Sequence, residues 1–362
     1  MTSKRDTAGG LLPGFMRSVG WSASGSLLQA IAQLLALVVL ARLLSPAAFG
    51  IVSAASLVTQ SLLIAAEFGV GACLVQRSHL ERAHLTSGAT LAMLTAFIVA
   101  TILWVLAPWC AQVFGTPELT DVLRVYGVVF VIKAIATVAE ATLQRELRFG
   151  SLAASDGISF IVGYAGVAIV CALAGWSYWS IVAAHIAQTL LRSAMLLRAA
   201  GELPSFGWTR AAAGEIARFS LGQMLSRSGS LIANQSDSFV AGIALGAAPL
   251  GLYGRAQQLL IMPVNQLGAI LDRVLFPTLA IIQGDPQRFG RGYRRALLLI
   301  TLLALPLTVV VIAAAPDIVR IVLGAQWGGA VVPLQILAAG LAFRLFHKIS
   351  DPSARAAGAI YA

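Results

Sequence analysis

The residues of this chain whose types could do chemistry are charged side chains inside apolar sequence. Lys133, Arg227 and Arg255, with the carboxylates Glu140 and Asp237, interrupt apolar runs long enough to cross a bilayer, and Glu67 and Asp156 fall near the ends of two more. A charge at membrane depth costs roughly 2.5–3.5 kcal/mol on insertion scales, so such a group faces a polar cavity or a partner. Cations placed there can hold an anion, and carboxylates can carry a proton or a sodium ion. Lys133, near 20 Å along its helix at about 1.5 Å per residue, is the first choice for a cationic cavity group. Glu140 is on the same face but about 10 Å further along, too far for an ideal ion pair, so both are expected to find other partners or water. Asp237 and Arg255 are expected at similar depths on adjacent antiparallel helices, where a pair could serve transport or only fix packing. Arg227 either lines a cavity or snorkels to the interface. Glu67 and Asp156 are candidates for a coupling ion, with solvated helix ends as the plainer reading. Arg124 is expected to snorkel, and His185 to pack as a hydrogen-bonded core residue.

The elements that position these groups follow from composition. Of 362 residues, 58% are apolar and 11% charged, with mean hydropathy +0.85, against roughly 25% charged in an average soluble domain. The chain is therefore an all-α integral membrane protein, with no stretch left over for a soluble domain. About 20 apolar residues per span predicts ten helices near 19–41, 49–72, 87–107, 119–141, 151–174, 177–198, 218–245, 249–271, 296–315 and 330–347. The first is too long for the core of a cleaved signal peptide. With the N-terminus inside, 19 of the 25 Lys and Arg fall on cytoplasmic connections, and only Arg42 and Arg320 on outer ones, the bias expected of cytoplasmic loops. The net charge of +10 then reads as topology and attraction to membrane lipids, and not as nucleic-acid binding.

Several chemistries are excluded. Lys4, Lys133 and Lys348 are the only lysines and none follows a glycine, so there is no phosphate-binding G-K loop. Cys73, Cys110 and Cys171 are odd in number and far apart, and the histidines lack ligand spacing. No metal, cofactor or disulfide framework is expected.

An internal repeat organises the helices. Ser22-Ala-Ser-Gly-Ser-Leu-Leu28 matches Ser226-Arg-Ser-Gly-Ser-Leu-Ile232, and Leu44-Ser-Pro-Ala-Ala-Phe-Gly50 matches Leu245-Gly-Ala-Ala-Pro-Leu-Gly251. Six helices intervene, so the copies share one orientation, as in transporters built from parallel repeats. The expected architecture is a six-helix bundle over 1–200 and a four-helix bundle over 201–362, the second short of helices, facing each other across a cleft.

At this level the sequence resembles the polysaccharide-exporter branch of the multidrug/oligosaccharidyl-lipid/polysaccharide flippase superfamily, the Wzx-type flippases related to the MATE transporters. The resemblance rests on Ala41-Arg-Leu-Leu-Ser-Pro-Ala-Ala-Phe-Gly50, Glu67-Phe-Gly-Val-Gly71, Leu74-Val-Gln76 and Leu143-Gln-Arg-Glu-Leu-Arg-Phe149. It continues through Asp237, Gly246-Ala-Ala-Pro-Leu-Gly-Leu-Tyr253, Arg273-Val-Leu-Phe-Pro277, Leu323-Gly324 and Trp327. It implies a bacterial inner-membrane flippase of polyprenyl-diphosphate-linked oligosaccharide, working by alternating access beside polysaccharide polymerase or export partners. In that reading Lys133, Arg227 and Arg255 hold the diphosphate, and Asp237, Glu140, Asp156 or Glu67 carries a coupling ion. A drug/cation antiporter of the same superfamily is the nearest alternative, and a membrane glycosyltransferase or polysaccharide polymerase the more distant one.

Overall fold

A computed structural model describes residues 31–346, apart from 68, 78, 202–204 and 282–284. The side chains of several positions late in the chain, Arg227 among them, lie outside the described set, as do Lys4, Arg5, Arg17, Lys348, Arg355 and the first copy of the serine-glycine repeat motif. Every element among the described residues is helical: α1 (Ile31–Leu43), α2 (Pro46–Glu67), α3 (Val70–Gln76), α4 (Arg82–Val113), α5 (Leu119–Arg145), α6 (Phe149–Phe160), a π-helical stretch (Ile161–Ala168), α7 (Ile169–Leu173), α8 (Trp179–Ala200), α9 (Arg210–Leu245), α10 (Ala247–Ile281), α11 (Pro286–Val322), a 3-10 turn (Ala325–Ala330) and α12 (Val331–Ala339).

Each of the ten expected helices has a counterpart, but six among the described residues are long and apolar enough to cross a membrane: α2, α4, α5, α6 through α7, α8 and α11. The chain is a multi-pass membrane protein. Two expected loops are corrected. Pro108 and Pro316 follow directly on the helix ends expected at 107 and 315, yet both lie inside helices, α4 and α11. A proline forfeits one backbone hydrogen bond, which neighbouring groups in a membrane bundle can make good. The expected second helix is broken where Gly69 turns left-handed at φ 57°, between α2 and α3.

The helices group into two compact units, one ending at Gly251 and one beginning at Leu252; the expectation from the repeat placed its division after residue 200. In the first unit α4 shows why the sequence folds this way. Gly88, Ala92, Ala96, Val99, Leu103, Ala107 and Cys110 are buried at steps of three or four residues, while Leu94, Phe97, Ile98, Trp104, Val105 and Trp109 are exposed. Small residues turned inward let helices approach closely, and bulky apolar ones turn toward lipid. At Gly163 the same principle acts at its limit. A Cβ there would lie 2.8 Å from the Ala184 carbonyl oxygen, and the wide π-helical turn sits where α8 makes that approach.

The second copy of the repeat motif meets the first within this unit. A Cβ built on Gly50 would lie 1.9 Å from the carbonyl oxygen of Ala247, and one on Gly251 would lie 2.3 Å from that of Pro46. Pro46 and Gly50 align with Ala247 and Gly251 in the repeat. The contact is thus reciprocal: each glycine faces the partner of the other, as at an interface formed around a two-fold axis.

The second unit is centred on the turn between α11 and α12, where Leu323, Trp327, Ala330 and Leu334 are buried. Arg320, expected in an outer connection, lies in the last turn of α11, where a cation complements the helix dipole.

Candidate functional site

Five charged side chains from four helices gather in the first unit. The Lys133 ammonium on α5 donates to Glu67 Oε1 at the end of α2, at 3.4 Å. Further along α5, Glu140 receives both terminal nitrogens of Arg192 from α8, at 2.9 Å each, while Arg192 Nε donates to Asp156 Oδ1 of α6 at 2.6 Å. Gln144 adds a 3.5 Å bond to Glu140. The two sub-clusters differ in kind. Arg192 makes a two-pronged bond to one carboxylate and a third bond to another, the geometry that makes guanidinium pairs strong and specific. Lys133 makes one long contact to a carboxylate whose side chain is 41% exposed, and exposed pairs contribute only about 0–1 kcal/mol. The Arg192 fork is a brace joining α5, α6 and α8, and the Lys133–Glu67 pair is exchangeable.

The pair opens on a cavity of about 260 Å³ lined by Glu67, Gly69, Gly71, Lys133, Glu140 and Arg192. The left-handed turn at Gly69 is what brings the end of α2 to its edge. On the other side Lys133 borders a smaller cavity of about 80 Å³, lined with Thr59, Gln60, Tyr126 and His185. One cation thus borders both a polar space and a smaller one that Leu63, Val129 and Phe130 make largely apolar. His185 packs against the Tyr126 ring with centroids 5.2 Å apart. Three carboxylates face two cations, so the cluster carries one net negative charge when all are ionised.

A second polar group closes the same end of the unit. Arg145, in the last turn of α5, donates to the carbonyl oxygens of Leu74, at 3.2 Å, and of Arg77, satisfying acceptors that the end of α3 leaves open. Arg77 pairs with Glu215 near the start of α9, with His84 Nε2 3.7 Å from the same carboxylate. The Arg77 guanidinium, by hydrogen bond and charge, holds the Glu215 carboxyl below the usual carboxylate range. The connection before α9 is tied to α4 by Thr209 N–H to Ser87 and by Thr90 to Gly207.

The structure therefore brings Glu67, Lys133, Glu140 and Asp156 together and adds Arg192, which was not among the candidates named from the sequence. Arg192 is eight residues from the end of α8, about 12 Å inside it. Its position within the predicted 177–198 run was the available signal. Asp237 is exposed on α9 and bonds the Ser238 amide at 2.7 Å. Arg255 on α10 donates to Gln258 at 2.5 Å; it belongs to the second unit and Asp237 to the first. Arg227 lies on α9, with its side chain outside the described set. Among the described residues no group of His, Cys, Asp and Glu is arranged to hold a metal ion.

Comparison with known proteins bears on the whole chain. The family described as polysaccharide biosynthesis protein matches residues 39–332. The chain is 29% identical over 324 residues to the succinoglycan biosynthesis transport protein ExoT of Rhizobium meliloti, covering 89% of this chain and 65% of that protein. It is 26% identical to the teichuronic acid biosynthesis protein TuaB of Bacillus subtilis, over 76% of this chain and 57% of the other. It is 21% identical to the lipopolysaccharide biosynthesis protein WzxC of Escherichia coli, over 88% and 65%. The chain thus spans less than two thirds of the length of these three relatives. In fold it is similar to the lipid II flippase MurJ in an inward closed conformation, with TM-score 0.75 at 15% identity, covering 93% of this chain and 76% of that one. It is also similar to an inward-facing multidrug resistance MATE family transporter, with TM-score 0.66 at 17% identity, over 91% and 81%.

Proposed function

This chain belongs to the polysaccharide biosynthesis protein family, and we propose that it moves a polyprenyl-diphosphate-linked oligosaccharide across the bacterial inner membrane. The observation that carries the reading is the exchangeable Lys133–Glu67 pair on the wall of a polar cavity inside an apolar helical unit. A diphosphate offers Lys133 a doubly charged partner in place of one carboxylate. Glu67, released, can then take a proton or a sodium ion, which couples substrate binding to ion binding without a buried unpaired charge. Arg192 keeps Glu140 and Asp156 neutralised throughout, so those two serve less well as ion carriers than Glu67. Arg227 and Arg255 stand as further diphosphate donors, and Asp237 as a second coupling carboxylate.

The cycle is alternating access of two repeat bundles that together hold ten transmembrane helices, with the N-terminus cytoplasmic. The bias of Lys and Arg along the sequence and the reciprocal contact of Gly50 and Gly251 support it. The polyprenyl tail remains in lipid through a lateral opening while the glycan crosses in the cleft. The family, with a transport protein among the relatives, sets aside the glycosyltransferase and polymerase readings. An antiporter for organic cations is the second reading, favoured by the excess of one carboxylate in the charged cluster.

The test is Lys133→Ala, produced at wild-type level in a strain lacking the gene. The proposal expects polymer output to be lost, and normal output would remove Lys133 from the substrate path. Resistance to cationic dyes that depends on this gene, with polymer unchanged, would favour the antiporter.

A further inference from the structure

At the end of the first unit opposite the Arg145 cluster, α4 and α5 frame an exposed groove of about 270 Å³. Its walls are Phe97, Thr101, Val128 and Val131, and Gly127 lies at its floor, where α5 comes close to Ala100. From Val131 to Arg124 the groove runs about 10 Å along α5. It is apolar along that length and ends in one cation.

Arg124 closes the groove with its guanidinium 5.2 Å from the Trp104 ring. Its Nη1 is 3.9 Å from Asp121, an exposed carboxylate one turn nearer the helix start, beyond hydrogen-bond length. Its Nε is buried with no hydrogen-bond partner among the described residues. A buried donor left unsatisfied is costly, and here the two remaining sides of the guanidinium are an aromatic face and an apolar trough. Arginine presents a rigid fork that matches phosphate oxygens, and tryptophan favours the headgroup level of a bilayer. Five residues from the start of α5, Arg124 lies about 7 Å into it.

We infer that this groove is a binding site for a membrane glycerophospholipid, whose phosphate accepts from Arg124 beside Trp104 while one acyl chain lies between Phe97 and Val128. The site is separate from the charged cluster and stands whether or not the flippase reading does. An acyl chain needs a narrow apolar trough, a phosphate needs a cation at its end, and α4 and α5 supply both within 10 Å. A lipid seated there covers the shallow seam between α4 and α5 at the level of the headgroups.

The full chain, purified in detergent, tests this by native mass spectrometry with phosphatidylglycerol titrated in. Arg124→Gln removes the phosphate partner, and Thr101→Phe fills the trough from its lipid side while leaving Arg124 in place. Arg124→Gln is expected to retain phosphatidylglycerol about tenfold less well than the wild type, the loss typical of one charged hydrogen bond, and Thr101→Phe to retain it less well because the acyl chain loses its trough. Inorganic phosphate at millimolar concentration should not displace the lipid. Wild-type retention by either variant, or displacement by phosphate alone, overturns the proposal.

Discussion

Replacing Gly50 by alanine puts the closest helix approach in the first unit to a quantitative test. The added Cβ would meet the Ala247 carbonyl oxygen at 1.9 Å and its carbon at 2.4 Å, more than an ångström inside the closest separation that real Cβ atoms show. The obstacle is backbone, so no rotamer change relieves it. Either α2 and the start of α10 move apart by about 1 Å or more, forfeiting much of their dispersion contact, or the helices distort. Overpacking of a rigid site costs typically 1–3 kcal/mol, and occasionally more; the upper end of about 3 kcal/mol is expected here. Gly157→Ala is the matched control. Nothing lies within 4 Å of a Cβ there, and alanine in a helix is favoured over glycine by about 0.5–1 kcal/mol. Thermal unfolding of the purified protein in detergent should show Gly50→Ala lowered by several degrees and Gly157→Ala unchanged or raised. A Gly50→Ala protein as stable as wild type would refute the close approach, and with it the reciprocal contact of the repeats.

Three further outcomes follow from the polar groups. Arg192→Ala leaves Glu140 and Asp156 facing each other without their cation and should destabilise by about 1–3 kcal/mol, between the values for exposed and buried pairs; Arg192→Lys, which cannot make the fork, should recover only part of it in the same unfolding assay. Arg145→Ala strips two carbonyl oxygens at the end of α3 and should cost about 1–2 kcal/mol, read as faster proteolysis near residue 77. Glu215 has a folded-state pKa below its unfolded value, so its contribution is present above the ordinary carboxylate range and is lost as pH falls through the folded pKa. The stability gap between wild type and Glu215→Gln should therefore close on acidification below about pH 4, and a gap that widens would contradict the pairing with Arg77.

Much of this was legible in the sequence for a simple reason. Helices in lipid must be apolar along their length, so their positions are written in composition. Their ends are not, because α4, α9 and α11 run on past the apolar stretch as amphipathic or proline-containing helix. The candidate charges were visible one by one, since each interrupts an apolar run. Their partners were not. Glu67 meets Lys133 because the chain turns at Gly69, and Arg192 meets Glu140 and Asp156 because three helices converge, neither of which is encoded in local spacing. The glycine pair Gly50 and Gly251 lay within the matched repeat, but only packing reveals that the two copies touch.

The central claim, transport of a lipid-linked oligosaccharide, is tested most directly by the leaflet that polyprenyl-diphosphate-linked repeat units occupy in a strain lacking this gene, before and after these 362 residues are re-supplied. The account predicts accumulation on the cytoplasmic leaflet that re-supply relieves and that the Lys133→Ala protein does not. No accumulation in the deleted strain, or the same leaflet distribution with and without the protein, would contradict it.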